Sequence, residues 1–158
     1  MANARRLIVI TTGGVSKGDT GTLGLTMESA VVGSAVPRRT KVTIPFRSGE
    51  VDLSRINGSQ TYDDRTLTYK FWKRCTSQSE VLAARTDCEA WFLDICKVNY
   101  LHDTVFGTKK STDYPILQFV AACTSVDFSE STNNILRVTV TLTADPYLYS
   151  PAGKGVML

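Results

Sequence analysis

KVTIPFRSGEVDLSRINGSQTYDDRTLTYKFW, from Lys41 to Trp72, decides how the rest of the chain is read. It opens with an alternating run in which Val42, Ile44 and Phe46 share one face. It closes with a longer one in which Leu67, Tyr69 and Phe71 share a face while Thr66, Thr68 and Lys70 take the other. Side chains along a strand point to opposite faces with period two, so both ends are expected to be half-buried β-structure. Between them lies polar sequence rich in turn formers: Ser48-Gly49, Asn57-Gly58-Ser59 and Asp63-Asp64. Connections of this length are usually functional or disordered, and this one is expected to project as an arm.

Downstream, one helix interrupts the β pattern. Ser77-x-x-Glu80 is a capping-box sequence, in which each side chain satisfies a backbone donor that the helix start leaves orphaned. Val81, Ala84, Cys88, Trp91, Phe92 and Ile95 then recur at helical spacing as one apolar stripe, with Arg85, Glu89 and Asp94 largely opposite. Trp91 and Phe92 are expected to anchor the helix on a sheet as core residues rather than as a cofactor box. Val98–Val105 mixes polar and apolar residues around the single histidine, His102, and Gly107–Thr112 reads as a hairpin turn. Ile116–Phe128 reads as one long bent strand with Val120, Val126 and Phe128 on one face. The cleanest strand has Leu136, Val138, Val140 and Leu142 alternating with Arg137, Thr139 and Thr141. Pro146 stops it, and the tail DPYLYSPAGKG closes on linker-like Gly-Lys-Gly.

Upstream, Leu7-Ile8-Val9-Ile10 reads as a short strand covered on both faces. The glycine-rich run Gly13–Gly21 follows it and invites a phosphate-loop reading. Such a loop needs Lys and Ser or Thr after Gly18, where the chain has Asp19-Thr20, so a flexible loop is expected instead. Leu23, Leu25 and Met27 alternate, and Val31-Val32 and Ala35-Val36 lead to Pro37. These suggest two short strands, the second extended because proline holds its predecessor out of the helical region. The sum is a mainly β, α+β fold: an antiparallel β-sandwich with one amphipathic α-helix packed on it and a projecting loop or β-arm.

At 158 residues the chain suits one domain, which buries ~70% of its unfolded surface on folding. A 42% apolar and 21% charged composition is globular, and a formal charge of +3 is too mild to mark a nucleic-acid binder. Arg5-Arg6, Pro37-Arg38-Arg39 and Lys109-Lys110 are scattered and read as solvated surface. Cys75, Cys88, Cys96 and Cys123 lack metal-ligand spacing and suit free thiols made in a reducing compartment. Only four strongly apolar residues follow Arg6, so no secretory signal is expected, and no run approaches a membrane span.

Hydrolytic chemistry needs a nucleophile beside a base. With one histidine and no GxSxG elbow, a triad on His102-Asp103 is a chance match. Glu50, Asp52 and Asp63-Asp64 could offer loop oxygens to Ca²⁺, but acids in polar turns are usually solvated. No enzyme, no cofactor and no metal site is expected.

The ordered motifs nonetheless form a pattern. Pro37-Arg38-Arg39 leads to Ile44-Pro45-x-Arg47-x-Gly49-x-x-Asp52, then to Tyr62-x-x-Arg65-x-Leu67-x-Tyr69-x-Phe71. After the helix, Val138-x-Val140-x-Leu142 runs into Asp145-Pro146-Tyr147-x-Tyr149-Ser150-Pro151. From about Leu7 to Pro151 this resembles the N-terminal, ring-forming domain of the phage distal tail protein (Dit) family and related baseplate proteins. The resemblance implies a structural virion protein at the tail tip, with six copies closing into a ring. That ring would join the tail tube protein to the hub or tail-fibre machinery and continue the channel through which DNA passes without specific binding. It implies residues 1–158 as a single ring-forming domain without a C-terminal carrier domain, synthesis in the host cytoplasm and no membrane partner. The arm, through Arg47, Glu50, Asp52, Arg55, Tyr62 and Arg65, would then carry self-assembly onto the neighbouring subunit. Alternatives are a tail tube or other baseplate component, or a monomeric carbohydrate- or protein-binding sandwich using Tyr100, Tyr114, Tyr147 and Tyr149.

Overall fold

The computed structural model describes residues 6–10, 16–95, 99–103, 118–129, 133–149 and 155–156. The expected turn at Gly107–Thr112, Cys96 and Tyr114 lie outside these. Among the described residues the chain forms β1 (Leu7–Ile10), β2 (Ser16–Asp19), β3 (Thr26–Val32), β4 (Val36–Pro37), β5 (Lys41–Thr43) and β6 (Glu50–Asp52). β7 (Tyr62–Asp63), β8 (Arg65–Arg74), α1 (Gln78–Leu93), β9 (Asn99–Asp103) and β10 (Phe119–Ser129) follow. β11 (Ile135–Ala144), β12 (Leu148–Tyr149) and β13 (Gly155–Val156) complete the order. The expected class holds: mainly β, antiparallel, with one helix.

Seven strands pair in the order β2-β1-β9-β10-β11-β8-β3, and every pairing is antiparallel. β2 and β3 therefore sit at opposite edges although they are consecutive in the chain. Laid flat at about 4.8 Å per strand, those edges would stand about 29 Å apart. The connection between them is instead folded tightly on itself. The Gly24 amide donates to the Gly21 carbonyl at 3.0 Å and the Leu25 amide to that of Thr20 at 3.3 Å. Lys73 of β8 lies along Gly24, where a Cβ would stand 3.4 Å from its Cε. The sheet is thus rolled until its edges meet at this end, and its concave face encloses one core.

Of the three register shifts among the described strand pairings, one lies between β1 and β2 at Val9–Ile10; the two in the longer strands β10 and β3 assist the rolling. In β10 the register shifts between Cys123 and Ser125. Phe119 and Ala121 face the core before the bulge, and Val126 and Phe128 pack on it afterwards, opposite Val140 and Val138. Val120 consequently lies on the opposite face from Val126 and Phe128, contrary to the sequence pattern, because the extra residue changes the parity. β3 repeats the device between Met27 and Ser29, with Met27 before and Ala30 and Val32 after on the core side. What read as two short strands up to Pro37 is one bulged edge strand followed by the separate β4.

The core is built by Leu67, Tyr69 and Phe71 of β8 and by Leu136, Val138, Val140 and Leu142 of β11, with Ala84, Cys88 and Phe92 of α1 laid across them. Phe71 and Phe92 stack at 5.7 Å between centroids, Tyr69 lies 6.4 Å from Phe71, and Trp91 meets Phe92 edge-on at 5.0 Å. Val81 and Trp91 are half-buried, and Ile95 is buried just beyond the helix end, so the predicted stripe is the packed stripe. Both helix ends are fixed. Ser77 Oγ accepts from the Glu80 amide at 3.3 Å, while the Glu80 carboxylate reaches one residue further back than a capping box requires, to the Thr76 amide at 2.8 Å and hydroxyl at 2.6 Å.

The last turn carries no basic residue of its own. Lys17 of β2 supplies the charge, donating to the Trp91 carbonyl at 2.9 Å and to Asp94 at 2.5 Å, with its ammonium 5.4 Å from the Trp91 ring. A cation there complements the negative end of the helix dipole. Part of the expected flexible loop Gly13–Gly21 is therefore an edge strand, and its lysine belongs to the helix terminus rather than to a phosphate.

The alternating run Val42-Ile44-Phe46 is not half-buried. Val42 and Ile44 are each 42% exposed and Phe46 is fully exposed, because Val42 pairs within the arm, Ile44 and Phe46 enter its end turn, and no second layer among the described residues covers them.

Two substitutions check the packing by chemical denaturation. Phe92→Ala removes the ring that Phe71 and Trp91 both contact, with an expected loss of about 3–5 kcal/mol. Gly33→Ala places a Cβ 2.6 Å from the Thr66 carbonyl oxygen. Because backbone must shift, an expected loss of about 1–3 kcal/mol follows from a single methyl group.

Candidate assembly surface

The chain leaves β3 at Gly33, whose amide donates to the Thr66 carbonyl at 2.9 Å, and returns to the sheet at Arg65. Everything between these points forms a two-tier β-arm. The lower tier pairs β4 with β7, Val36 opposite Asp63 and Pro37 opposite Tyr62. The upper tier pairs β5 with β6, Lys41 opposite Asp52 and Thr43 opposite Glu50. The Arg38 amide donates to Thr61 at 2.8 Å and the Leu53 amide to Thr40 at 2.7 Å, carrying the ladder past the strand ends. Three ion pairs cross it: Arg38 to Asp63 at 2.7 Å, Arg39 to Asp52 at 3.1 Å and Lys41 to Glu50 at 3.2 Å. All three are exposed, and such pairs contribute no more than about 1 kcal/mol each, so they set register more than stability.

Asp52 organises the upper tier. It accepts from the Ser54 amide at 2.9 Å, from the Ser54 hydroxyl and from Arg39. The Ser54 hydroxyl, then the Ser54 amide, hold its carboxyl below the usual aspartate range, with Arg39 adding a smaller pull. Ser54 Oγ in turn accepts from the Thr40 amide at 2.9 Å. The acids considered as Ca²⁺ ligands are thus distributed along the arm, each of Glu50, Asp52 and Asp63 against a base. Among the described residues no group of three or more His, Cys, Asp or Glu side chains is placed to hold a metal ion.

The arm is polar in its pairing and apolar at its surface. Of nine large exposed hydrophobics among the described residues, five lie on it: Val36, Val42, Ile44, Phe46 and Ile56. The upper tier ends in a β-turn closed by the Arg47 amide on the Ile44 carbonyl at 3.2 Å. Pro45 occupies its second position and Phe46 its third, at φ 66°. A positive φ there is the type II pattern, which favours Gly or Asn. A bulky side chain in this region costs roughly 1–3 kcal/mol and persists where something else requires it. The turn holds an aromatic ring out in solvent, with 110% of its reference surface exposed.

The six residues assigned to the arm divide into two groups. Arg47, Glu50, Asp52 and Arg55 lie on its upper part. Tyr62 and Arg65 belong to its root. Tyr62 packs edge-on to Tyr147 at 6.4 Å, and Arg65 is buried, its guanidinium donating to the Pro146 carbonyl. Burial depresses the Arg65 pKa from its ordinary value. The Asp-Pro-Tyr segment after β11 is therefore clamped against the arm's root. Gln118 and Tyr149 fasten its far end through a reciprocal pair of backbone bonds at 2.8 Å.

Phe46, like Val42 and Ile44, stands in solvent where the alternation places it on a buried face. Its signal was present in Pro45-Phe46-Arg47, a turn sequence inside an apparently regular alternation. Tyr147 and Tyr149, candidates for a carbohydrate cleft, are half-buried, one against Tyr62 and the other bonded to Asp145 at 3.2 Å. The side chains of Tyr100 and His102 lie outside the described set. Cys75 and Cys88 are free and buried, Cys123 free and half-buried, and burial pushes the Cys88 thiol up to about 11. No helix among the described residues is long and apolar enough to cross a membrane.

Comparison with known proteins gives structures rather than sequences. No family model and no curated protein matches the chain. The SPP1 Dit protein, described as a paradigm of the hub adsorption apparatus of phages infecting Gram-positive bacteria, is similar at a TM-score of 0.61 and 12% identity. The match covers 92% of this chain and 52% of that one. A chain of the phage P2 baseplate, in its activated conformation with Ca, is similar at 0.57 and 14%, covering 89% and 44%. The fold is shared. This chain spans about half the length of both structures.

The Asp52 node makes the arm's order pH-dependent. Because its folded pKa lies below the ordinary 3.8, its contribution is fully present above that value and is lost as pH falls through the lowered one. Asp52→Asn is expected to speed amide exchange at Leu53 and Ser54 at neutral pH while leaving the global denaturation midpoint unchanged. Equal exchange in the two proteins would remove Asp52 from this role.

Proposed function

We propose that this protein is a structural component of a phage tail tip, in which six copies close into a ring. In this reading the ring joins the tail tube to the hub or fibre machinery and continues the DNA channel. One observation carries the proposal: a ladder-stitched arm bearing solvent-exposed Val42, Ile44, Phe46 and Ile56 projects from a core that is already closed. The core does not need those side chains for its own packing. Clustered exposed hydrophobics on a folded chain mark interaction surfaces, and an arm that reaches a neighbour gives a head-to-tail contact. Such a contact closes into a ring when its rotation divides a full turn. The fold shared with the SPP1 Dit and phage P2 baseplate chains supports the virion setting.

The site needs no reacting group for this role. Tail tube protein on one side and hub or fibre protein on the other are the expected partners, and the ring's location is the virion. DNA in transit would be passed, not held, so its inner wall is expected to lack a dense basic lining. A monomeric binding module fits less well, since Tyr147 and Tyr149 are engaged in internal contacts.

Negative-stain imaging of the purified chain, with light scattering across a concentration series, tests the proposal. Six-fold rings are the expected result. A monomer at every concentration would reject the ring.

A further inference from the structure

The arm's side loop, between β6 and β7, carries Asn57-Gly58-Ser59, a turn sequence that the proposed assembly role does not use. Arg55 to Ser59 are all exposed. Two local bonds shape this loop: the Ile56 amide donates to the Leu53 carbonyl at 3.0 Å, and the Gly58 amide to that of Arg55 at 2.9 Å. Gly58 stands at φ 90°, and a Cβ there would meet no atom within 4 Å. Among the described residues nothing bonds the Asn57 side chain.

We propose that Asn57 is a site of self-modification, where the Gly58 backbone nitrogen expels the side-chain amide and leaves aspartate or isoaspartate. The Gly58 nitrogen, on losing its proton, attacks Asn57 Cγ. The new N–Cγ bond closes a succinimide ring and the Cγ–Nδ2 bond breaks, releasing ammonia. Water then opens the ring. Cleavage of the N–Cγ bond gives aspartate, whereas cleavage at the Asn57 backbone carbonyl carbon leaves the chain running through Cγ as isoaspartate. Nothing is oxidised or reduced, and water is the only co-reactant.

Three features of the loop favour this step at an inherently thermolabile residue type. Glycine has no Cβ to shield the attacking nitrogen, and the space around it is open. The bond that engages this nitrogen lies in an exposed turn, where local opening costs little. The Asn57 side chain is free to swing onto it. Asn57 is the only asparagine of the chain that precedes glycine. Asn134 also has a positive φ, of 53°, but it precedes Ile135, a branched residue paired with Arg74 in the β11 ladder. Asn99 precedes Tyr100 within β9.

Either product places a carboxylate two residues from Arg55 and beside Ile56, which is 72% exposed. Isoaspartate also lengthens the backbone inside the Arg55–Gly58 turn. The side loop thus changes charge and shape irreversibly, whatever the arm contacts.

The test ages the purified chain at neutral and mildly alkaline pH, digests it at mildly acidic pH and maps the peptides by mass spectrometry. Isoaspartate is labelled with protein isoaspartyl methyltransferase. Peptides spanning Asn57 are expected to gain acid forms with time, faster as hydroxide rises and with isoaspartate in excess, while those spanning Asn134 stay intact. Asn57→Gln is expected to slow the conversion at least about tenfold, because the longer side chain gives up more rotational freedom to close a larger ring. A parallel sample unfolded in guanidinium gives the rate without the turn. No conversion at Asn57 in the folded chain would overturn the proposal, and conversion in guanidinium alone would name the Gly58–Arg55 turn bond as what protects it. Equal conversion at Asn57 and Asn134 would overturn it too, since the loop would then confer nothing.

Discussion

A single backbone hydrogen bond, from Gly33 to Thr66, closes the neck through which more than thirty residues leave the sheet and return to it. The neck admits only glycine on its β3 side, since any Cβ there would press on the Thr66 carbonyl. Just inside it, Arg65 is buried against Pro146 and Tyr62 leans on Tyr147, so the arm's root is braced by the segment that follows the last long strand. Because the two ends are held side by side, the arm's geometry is decoupled from the core. Its hydrogen bonds, ion pairs and strained turn can answer to a neighbouring surface while the rolled sheet keeps its own packing.

The core answers to different constraints. Aromatic stacking between β8 and α1 supplies its dense centre, and the two edges of the sheet are drawn together by one short turn. Lys17 then fastens the edge strand β2 to the C-terminal end of the helix. Stability thus resides in apolar burial and edge closure, whereas the exposed ion pairs of the arm specify pairing at small energetic effect. This division suits a part that must hold its shape while an appendage adapts to contact.

The elements most legible in the sequence were those whose pattern has one physical cause. Leu136 to Leu142 alternates because one face of β11 packs on the core, and Val81 to Ile95 recurs at helical spacing because one stripe of α1 does. Val42, Ile44 and Phe46 alternate just as well, yet nothing among the described residues covers them. Periodicity reports that a face is apolar; it does not say whether the covering layer belongs to the same molecule. Val120 was assigned to the wrong side because a bulge is silent in composition and visible only in pairing. Ser16–Asp19 was hidden because glycine-rich sequence suggests a loop, while its partner β1 fixes it as a strand. Tyr62 and Arg65 were assigned to the arm, but sequence distance concealed that their contacts are with Tyr147 and Pro146.

The bulges at Glu28 and Thr124 have a consequence for how this gene can change in length. Each is the extra residue in a ladder whose side chains face correctly on both flanks, so losing that one codon leaves every apolar residue on its present side and straightens the strand. Loss of a neighbouring codon within the regular ladder instead turns a flank inside out. Single-residue indels in relatives of this fold should therefore concentrate at these two positions, and where they occur the subunit should be flatter.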